Sequence, residues 1–427
     1  MRKHVLGPDG IRSGASEMVL EYLKGSPRAF KILVASALIE NMAFGLVIPF
    51  FAIYMEQEIE ISLPLIGIVL AGYTIAGMPA TVIGGMLADK IGRRAVLLAS
   101  LGLMSVTMLM YIFATNFYTL LAVAMADSFV GFMYMPAANA MLADVIPSEK
   151  RPHAYSTLRI AWNVGIVFGP VAGAILVEAH SMKLLFIFGS LILASAFIMN
   201  MLFIRETKSD AVTDKITFRS VAAVANDHPF LVLCVLTGIF WFFFSQWISV
   251  LPIYAYNQLG MSEGAFGLLF AASAFMTIVF QLWVTSKMLS FRRSAVLVVG
   301  QLVAAGGFAL IFYANDFYSL LACIMVITVG EIFFMSMISA VIADMAPEEK
   351  RGIYMGFSGL IQTLGQGGGF LFGMWLLDTM AVKEQIWLVF GFICGVTTVG
   401  YVVFAKMVRP EIDRPKKLGS RDHELTM

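Results

Sequence analysis

Charge is scarce in this chain. Asp, Glu, Lys and Arg make up only 13% of its 427 residues, and the net charge is +1. That balance leaves no basic face for nucleic acid and no acidic tail for a cationic partner. Cysteine is scarcer still: Cys234, Cys323 and Cys394 lie inside apolar runs without metal-ligand spacing, which points to core packing and excludes a disulfide framework or a zinc site. There is no Gly-x-x-x-x-Gly-Lys-Ser/Thr loop and no polar segment long enough for an ATPase domain, so any work must draw on an ion gradient. His-Glu-x-x-His and Gly-x-Ser-x-Gly are missing too, which leaves a membrane hydrolase without support. The chain is therefore read as no enzyme, with no cofactor beyond a proton gradient. The first apolar run is too long for a removable signal peptide and lacks a small-residue cleavage site.

What the chain has in excess is apolar length, since 59% of residues are hydrophobic, far above a soluble protein. Twelve runs are each long enough to cross a hydrocarbon core of roughly 30 Å as a helix. They fall at 31–54, 64–88, 95–114, 117–141, 154–178, 182–204, 230–255, 263–287, 295–314, 317–341, 353–378 and 386–408. The expected fold is an all-α membrane protein of twelve transmembrane helices, two six-helix repeats around a central cavity. Residues 1–30 read as a tail whose Met18–Leu23 stretch lies along the membrane surface. Residues 31–204 form the first bundle, 205–229 a charged linker, 230–408 the second bundle and 409–427 a second tail. Positive charge tests this map independently. All but Arg159, Lys183 and Lys383 of the 29 Lys and Arg residues fall on one side of it, which places both tails and the linker in the cytoplasm. Short loops without large ectodomains fit a prokaryotic inner membrane.

The halves repeat at an offset of 200 residues. Ala143-Asp144 with Pro147 and Glu149-Lys150-Arg151 returns as Ala343-Asp344 with Pro347 and Glu349-Lys350-Arg351. Phe117-Tyr118 returns as Phe317-Tyr318, and Gly165, Gly169 and Gly173 as Gly365, Gly369 and Gly373. Parallel repeats imply two bundles facing each other across a cavity.

Between the second and third runs stands a tight charged turn, Gly85-x-x-x-Asp89-Lys90-x-Gly92-Arg93-Arg94. It resembles the signature loop of the major facilitator superfamily of transporters, and the resemblance extends from about Lys31 to Arg409. It implies that Asp89 holds the inner ends of the two halves together when the cavity opens outward, with Gly85 and Arg93 in the same gate. Its partner in the second half, around Phe291-Arg292-Arg293, lacks the Asp, so asymmetric gating contacts are expected. In helix 5, Gly165-x-x-x-Gly169-Pro170-x-x-Gly173-Ala174 resembles the Gly-Pro motif of proton-coupled antiporters, with Ala174 where the fuller pattern has Gly. Gly169 and Pro170 join the expected gating elements. The run Glu40-Asn41-Met42-Ala43-Phe44-Gly45 in helix 1 is similar to multidrug exporters of the superfamily. One departure stands out: many proton-coupled members place an Arg four residues before a Gly in helix 4, where this chain has Asp127 before Gly131.

Ionisable groups inside a membrane span cost several kcal/mol and are functional candidates by default. Glu40, Asp127, Arg159 and Glu331 qualify. Asp127 and Arg159 are candidates for a cross-helix ion pair, in which the guanidinium keeps the carboxyl ionised until the helices move. Each has a bland counterpart: Glu40 satisfied through Asn41, a static Asp127–Arg159 pair, a protonated Glu331 in the core. Arg159, Asn163, Ile166 and Pro170 share one face of helix 5. Helix 7 carries Phe240-Trp241-Phe242-Phe243-Phe244-Ser245-Gln246-Trp247, which lines a cavity or forms a lipid-facing belt. Candidate substrate contacts are Asn41, Phe44, Trp162, Asn163, Trp241, Gln246, Met335 and Gln362. Aromatics, methionine and a few acids suit lipophilic, often cationic solutes. The expected function is a monomeric proton-coupled exporter of such compounds by alternating access. A transporter of a metabolite (sugar or peptide), a lipid flippase, or a non-transporting membrane sensor on the same fold remain as alternatives.

Overall fold

The computed structural model describes residues 23–147, 150–179, 181–207, 224, 226–288, 290–347 and 350–413. The surface stretch expected at Met18–Leu23, apart from Leu23, most of the linker and most of the second tail fall outside them. The described residues form helices and turns without a strand.

The first half contains α1 (Arg28–Gln57), α2 (Leu63–Ile91), α3 (Arg93–Met110), α4 (Phe117–Val145), α5 (Arg151–Ala179) and α6 (Lys183–Phe203). The second contains α7 (His228–Asn257), α8 (Glu263–Met288), α9 (Arg293–Leu310), α10 (Phe317–Met345), α11 (Arg351–Thr379) and α12 (Gln385–Met407). Eleven of these are long and apolar enough to span a membrane. The twelfth, α11, is 29 residues long but diluted by Gln362, Gln366 and its glycines. The apolar runs become helices because a backbone without water must satisfy its own N–H and C=O groups. The chain is an integral membrane protein of twelve helices.

Two helices break, each for a stated reason. Pro136 has no N–H for the carbonyl of Phe132, and α4 is interrupted at Phe132 and Met133. Pro252 does the same to Ile248, and α7 passes through a 3-10 turn at Ser245–Trp247 before resuming at Val250. Side chains donate to carbonyls close to each break. Ser100 Oγ donates to Val130 O at 2.5 Å, and Gln246 Nε2 donates to Phe242 O at 2.8 Å.

The repeated glycines explain themselves in the packing. A Cβ on Gly169 would stand 2.6 Å from Gly45 C and 2.7 Å from Leu46 N, so α5 lies directly on the backbone of α1. Gly165 and Gly173 meet Leu38 and Leu46 in the same seam. In the second half Gly365 and Gly369 press on Gly238 and Phe242 of α7. The same small-residue seam is built twice.

One face of the bundle carries Gly92, Pro147 and Arg205; it is called the linker face. On the opposite, far face the halves touch. Asn257 Nδ2 donates to Glu56 Oε1 at 2.8 Å, and Ser262 Oγ to Glu178 Oε1 at 3.3 Å. A Cβ on Gly67 of α2 would lie 2.9 Å from Phe370 O of α11. Towards the linker face, by contrast, a Cβ on Gly352 or Gly359 of α11 would meet nothing within 4 Å. The cavity between the halves is closed at the far face and opens towards the linker face.

Candidate functional site

Between the halves lies a cavity with two lobes that share Phe44, Ile48, Ile248 and Gln366. The first, about 190 Å³, sits against the first half and contains Asp127 with Tyr73, Thr74 and Tyr111. The second, about 340 Å³, sits against the second half and contains Glu331 with Asn163, Ser273 and Thr277. Each lobe thus has one acid.

Asp127 is only 7% exposed and is held from its own half: Thr107 Oγ1 donates to Oδ1 at 2.5 Å and the Tyr111 hydroxyl to Oδ2 at 3.4 Å. Tyr111 is placed by its stack on Phe186, with ring centroids 5.2 Å apart. The expected ion pair with Arg159 is absent among the described residues. The reason is axial. Asp127 lies ten residues from the far-face end of α4, and Arg159 eight residues from the linker-face start of α5. At 1.5 Å per residue the two levels differ by about 15 Å, beyond the reach of either side chain. The guanidinium is exposed instead.

Glu40 borders neither lobe. It is half-buried between α1 and α5, accepts from Asn41 Nδ2 at 2.5 Å, has Trp162 beside it, and is near enough to Asp127 for their charges to interact. Asn41 also donates to Ala37 O at 3.0 Å and packs on Gly165, which makes it a helix contact and not the expected substrate contact. Gln246 corrects in the same way. It is fully buried and donates to Gly369 O at 3.0 Å, tying the α7 break to α11. Gln362 turns back to Ser358 Oγ at 2.9 Å, Met335 packs into the core of the second half, and Trp162 stays with Glu40. Phe44, Asn163 and Trp241 do line the cavity.

Glu331 stands in different company. Among the described residues no hydrogen bond or ion pair holds its carboxyl. Around its lobe stand Trp241, Phe244, Trp247 and Phe270, with Trp247 stacked on Phe270 at 5.3 Å and Trp241 edge-on to Phe244 at 5.6 Å. A carboxyl beside aromatic faces can attract a positive charge.

Sequence reasoning missed Thr363 and Gln366. They are the 200-residue counterparts of Asn163 and Ile166, and all four line the cavity. The repeat offset was the signal that could have found them. It also missed Tyr73, Thr107 and Tyr111, which come to Asp127 only through packing.

At the linker face Arg93 is 7% exposed between two carboxylates, with Asp89 at 3.1 Å and Asp144 at 3.0 Å. Gly85 passes against Pro136. Glu206 accepts from the backbone N–H of Arg93 at 2.9 Å and of Arg94 at 3.1 Å, where the α3 N-terminus favours an anion. The second half repeats much of this: Arg293 pairs with Asp344 at 2.6 Å, and Asp413 accepts from Ser294 N at 2.8 Å. The expected asymmetry therefore narrows to Asp89, whose counterpart in the sequence is Leu289. Gly169 and Pro170 sit in the α1–α5 seam inside one half.

The sequence profile of the Major Facilitator Superfamily matches residues 33–262 and again 233–426. The chain belongs to that superfamily. Its members are transporters and not enzymes. The chain is similar to the Na(+), Li(+), K(+)/H(+) antiporter of Planococcus maritimus, 23% identical over 86% of this chain and 92% of that one. It is also similar to the quinolone resistance protein NorA of Staphylococcus aureus, 22% identical over 82% and 90%. Among solved structures, a POT family transporter bound to a thioalcohol-conjugated peptide superposes with a TM-score of 0.80 at 14% identity, covering 91% of this chain and 98% of the other. That likeness shows the fold. With the lobed cavity, these findings make the chain a superfamily transporter of small solutes.

Proposed function

We propose that the chain is a proton-coupled exporter of lipophilic cations, working by alternating access in an inner membrane with both tails and the linker in the cytoplasm. The observation that carries this reading is Glu331, a carboxyl with no hydrogen bond or ion pair among the described residues, set in a lobe walled by Trp241, Phe244, Trp247 and Phe270. A cation there gains charge pairing and about 0.5–2 kcal/mol for each well-placed aromatic face. Asp127, held by Thr107 and Tyr111 on the other side of the shared wall, is the proton site in this reading, with Glu40 electrostatically coupled to it. The one-sided distribution of Lys and Arg supports the orientation. The antiporter and the resistance protein among its relatives support exchange and efflux.

The test is proton movement from purified protein in vesicles under an imposed pH gradient, on addition of a lipophilic cation. Protons move with the wild type, and the response is lost in Asp127→Asn and Glu40→Gln. Glu331→Gln weakens cations more than neutral analogues. Absence of any proton movement with correctly folded protein would remove the exchange reading. A second reading, import or export of a polar metabolite, is favoured by Asn163, Ser273, Thr277 and Gln366 in the same lobe. It predicts one tight ligand in place of protection against several dye classes.

A further inference from the structure

Arg159 lacks the partner expected from sequence, yet it stands well inside a span, about 12 Å from the start of α5, with its side chain exposed. An arginine at that depth needs water, a partner or a ligand. Its direction can be read from the helix. Phe168 and Ile175, 60% and 65% exposed, mark the lipid-facing side of α5. Nine residues, two and a half turns, separate Arg159 from Phe168, so Arg159 points away from lipid. Asn163 and Ile166 lie within about 40° of it on the helix wheel and both line the lobe that contains Glu331. The repeat gives the same answer independently. Thr363 and Gln366, the counterparts of Asn163 and Ile166, line the cavity, and the counterpart of Arg159 is Gly359, around which there is open space. Arg159 therefore projects into the vestibule that opens to the linker face, one turn below Asn163. Among the described residues it makes no ion pair or hydrogen bond. Counting from the linker-face ends of α5 and α10, Arg159 and Glu331 differ in level by about 9 Å.

We infer that Arg159 is a substrate-binding residue, and that the cavity takes zwitterionic amphiphiles: the cationic end goes to Glu331 in the aromatic lobe, the aromatic body crosses Asn163, and a carboxylate reaches Arg159. A guanidinium binds a carboxylate through two parallel N–H donors, a geometry an ammonium does not reproduce. This rests on the reading of the central cavity as the solute site, and it narrows the solute from any lipophilic cation to one with an anionic group at the far end.

The test uses the full chain in nanodiscs and two dyes that differ in one group, rhodamine B, which carries a carboxylate, and its methyl ester, which does not. Dissociation constants are measured for wild type, Arg159→Gln and Arg159→Lys, with a thermal melt on each to confirm folding. Arg159→Gln weakens rhodamine B by about ten- to a hundredfold and leaves the ester within about twofold, since a charge-assisted pair is lost only for the acid. Arg159→Lys restores part of the loss. Equal losses for both dyes would show a structural role, and unchanged binding of both would place Arg159 outside the site; either overturns the inference. If wild-type protein binds the ester but not the acid, the cavity reading stands and the inference falls. If it binds neither dye, the cavity reading falls first.

Discussion

Replacing Gly67 with valine should push the protein out of the conformation described here. Gly67 sits near the far-face start of α2 and touches α11 across the boundary between the halves. A Cβ there would stand 2.9 Å from Phe370 O, 3.1 Å from Met374 Cβ and 3.3 Å from Leu371 Cα. Two of these three neighbours are backbone, so no rotamer change relieves the clash and the helices must part. Overpacking of this kind costs about 1–3 kcal/mol. The cost falls only on the state whose far ends are together, so the ratio of the two states shifts by about 5- to 150-fold towards closure at the linker face. Spin labels at Met86 of α2 and Met355 of α11, both exposed and towards the linker face, report it as a shorter distance by double electron–electron resonance. Gly84→Ala is the matched control: its Cβ would lie 2.7 Å from Met133 Cα within the same half, so it destabilises both states alike. An unchanged distance in Gly67→Val, or the same shift in Gly84→Ala, would refute the assignment of the closed face.

Further outcomes follow from the same geometry. Gly169→Ala should lower the melting temperature, by about 1–3 kcal/mol of overpacking against Gly45 and Leu46, whereas Gly306→Ala, with open space around it, should be neutral or stabilise by about 0.5–1 kcal/mol. Gly92→Ala should weaken the α3 cap, because Gly92 has φ +110° and its missing side chain leaves room for Glu206; thermal stability and labelling of Arg94→Cys report it. The two halves cap their fourth helices with different chemistry, Asn116 on α4 and Asp316 on α10, each accepting from the third residue of its helix. The Ser319 hydroxyl and backbone N–H hold the exposed Asp316 carboxyl below the usual carboxylate range. Its cap therefore adds stability above the ordinary carboxylate pKa, and that stability is lost as pH falls through the lowered value. The melting difference between wild type and Asp316→Asn should shrink on acidification, while that between wild type and Asn116→Ala stays level.

Part of the cavity lining was legible in the sequence, and the failures are specific. Phe44, Asn163 and Trp241 line the cavity as their helix faces suggest. The Asp127–Arg159 pair fails on a matter of level: counting residues from opposite ends of α4 and α5 puts them on different floors of the membrane. Gln246 fails because it is buried between α7 and α11, where its amide is engaged by Phe242 O of its own helix and Gly369 O across the seam. Asn41 fails because the seam through Gly165 is so close that a polar side chain in it is packing material.

By itself the sequence determined the twelve spans, that the basic loops share one side of them, the twofold repeat and the small residues of the glycine seams. These depend on apolar length, on charge at helix ends and on small residues at helical spacing, and all three are local properties of the chain. Only the tertiary structure decided which acid meets which partner, that Glu331 faces an aromatic lobe while Asp127 is held by Thr107 and Tyr111, and which face of the bundle is closed. Those depend on the rotation and level of one helix against another, set by contacts between residues far apart in the chain.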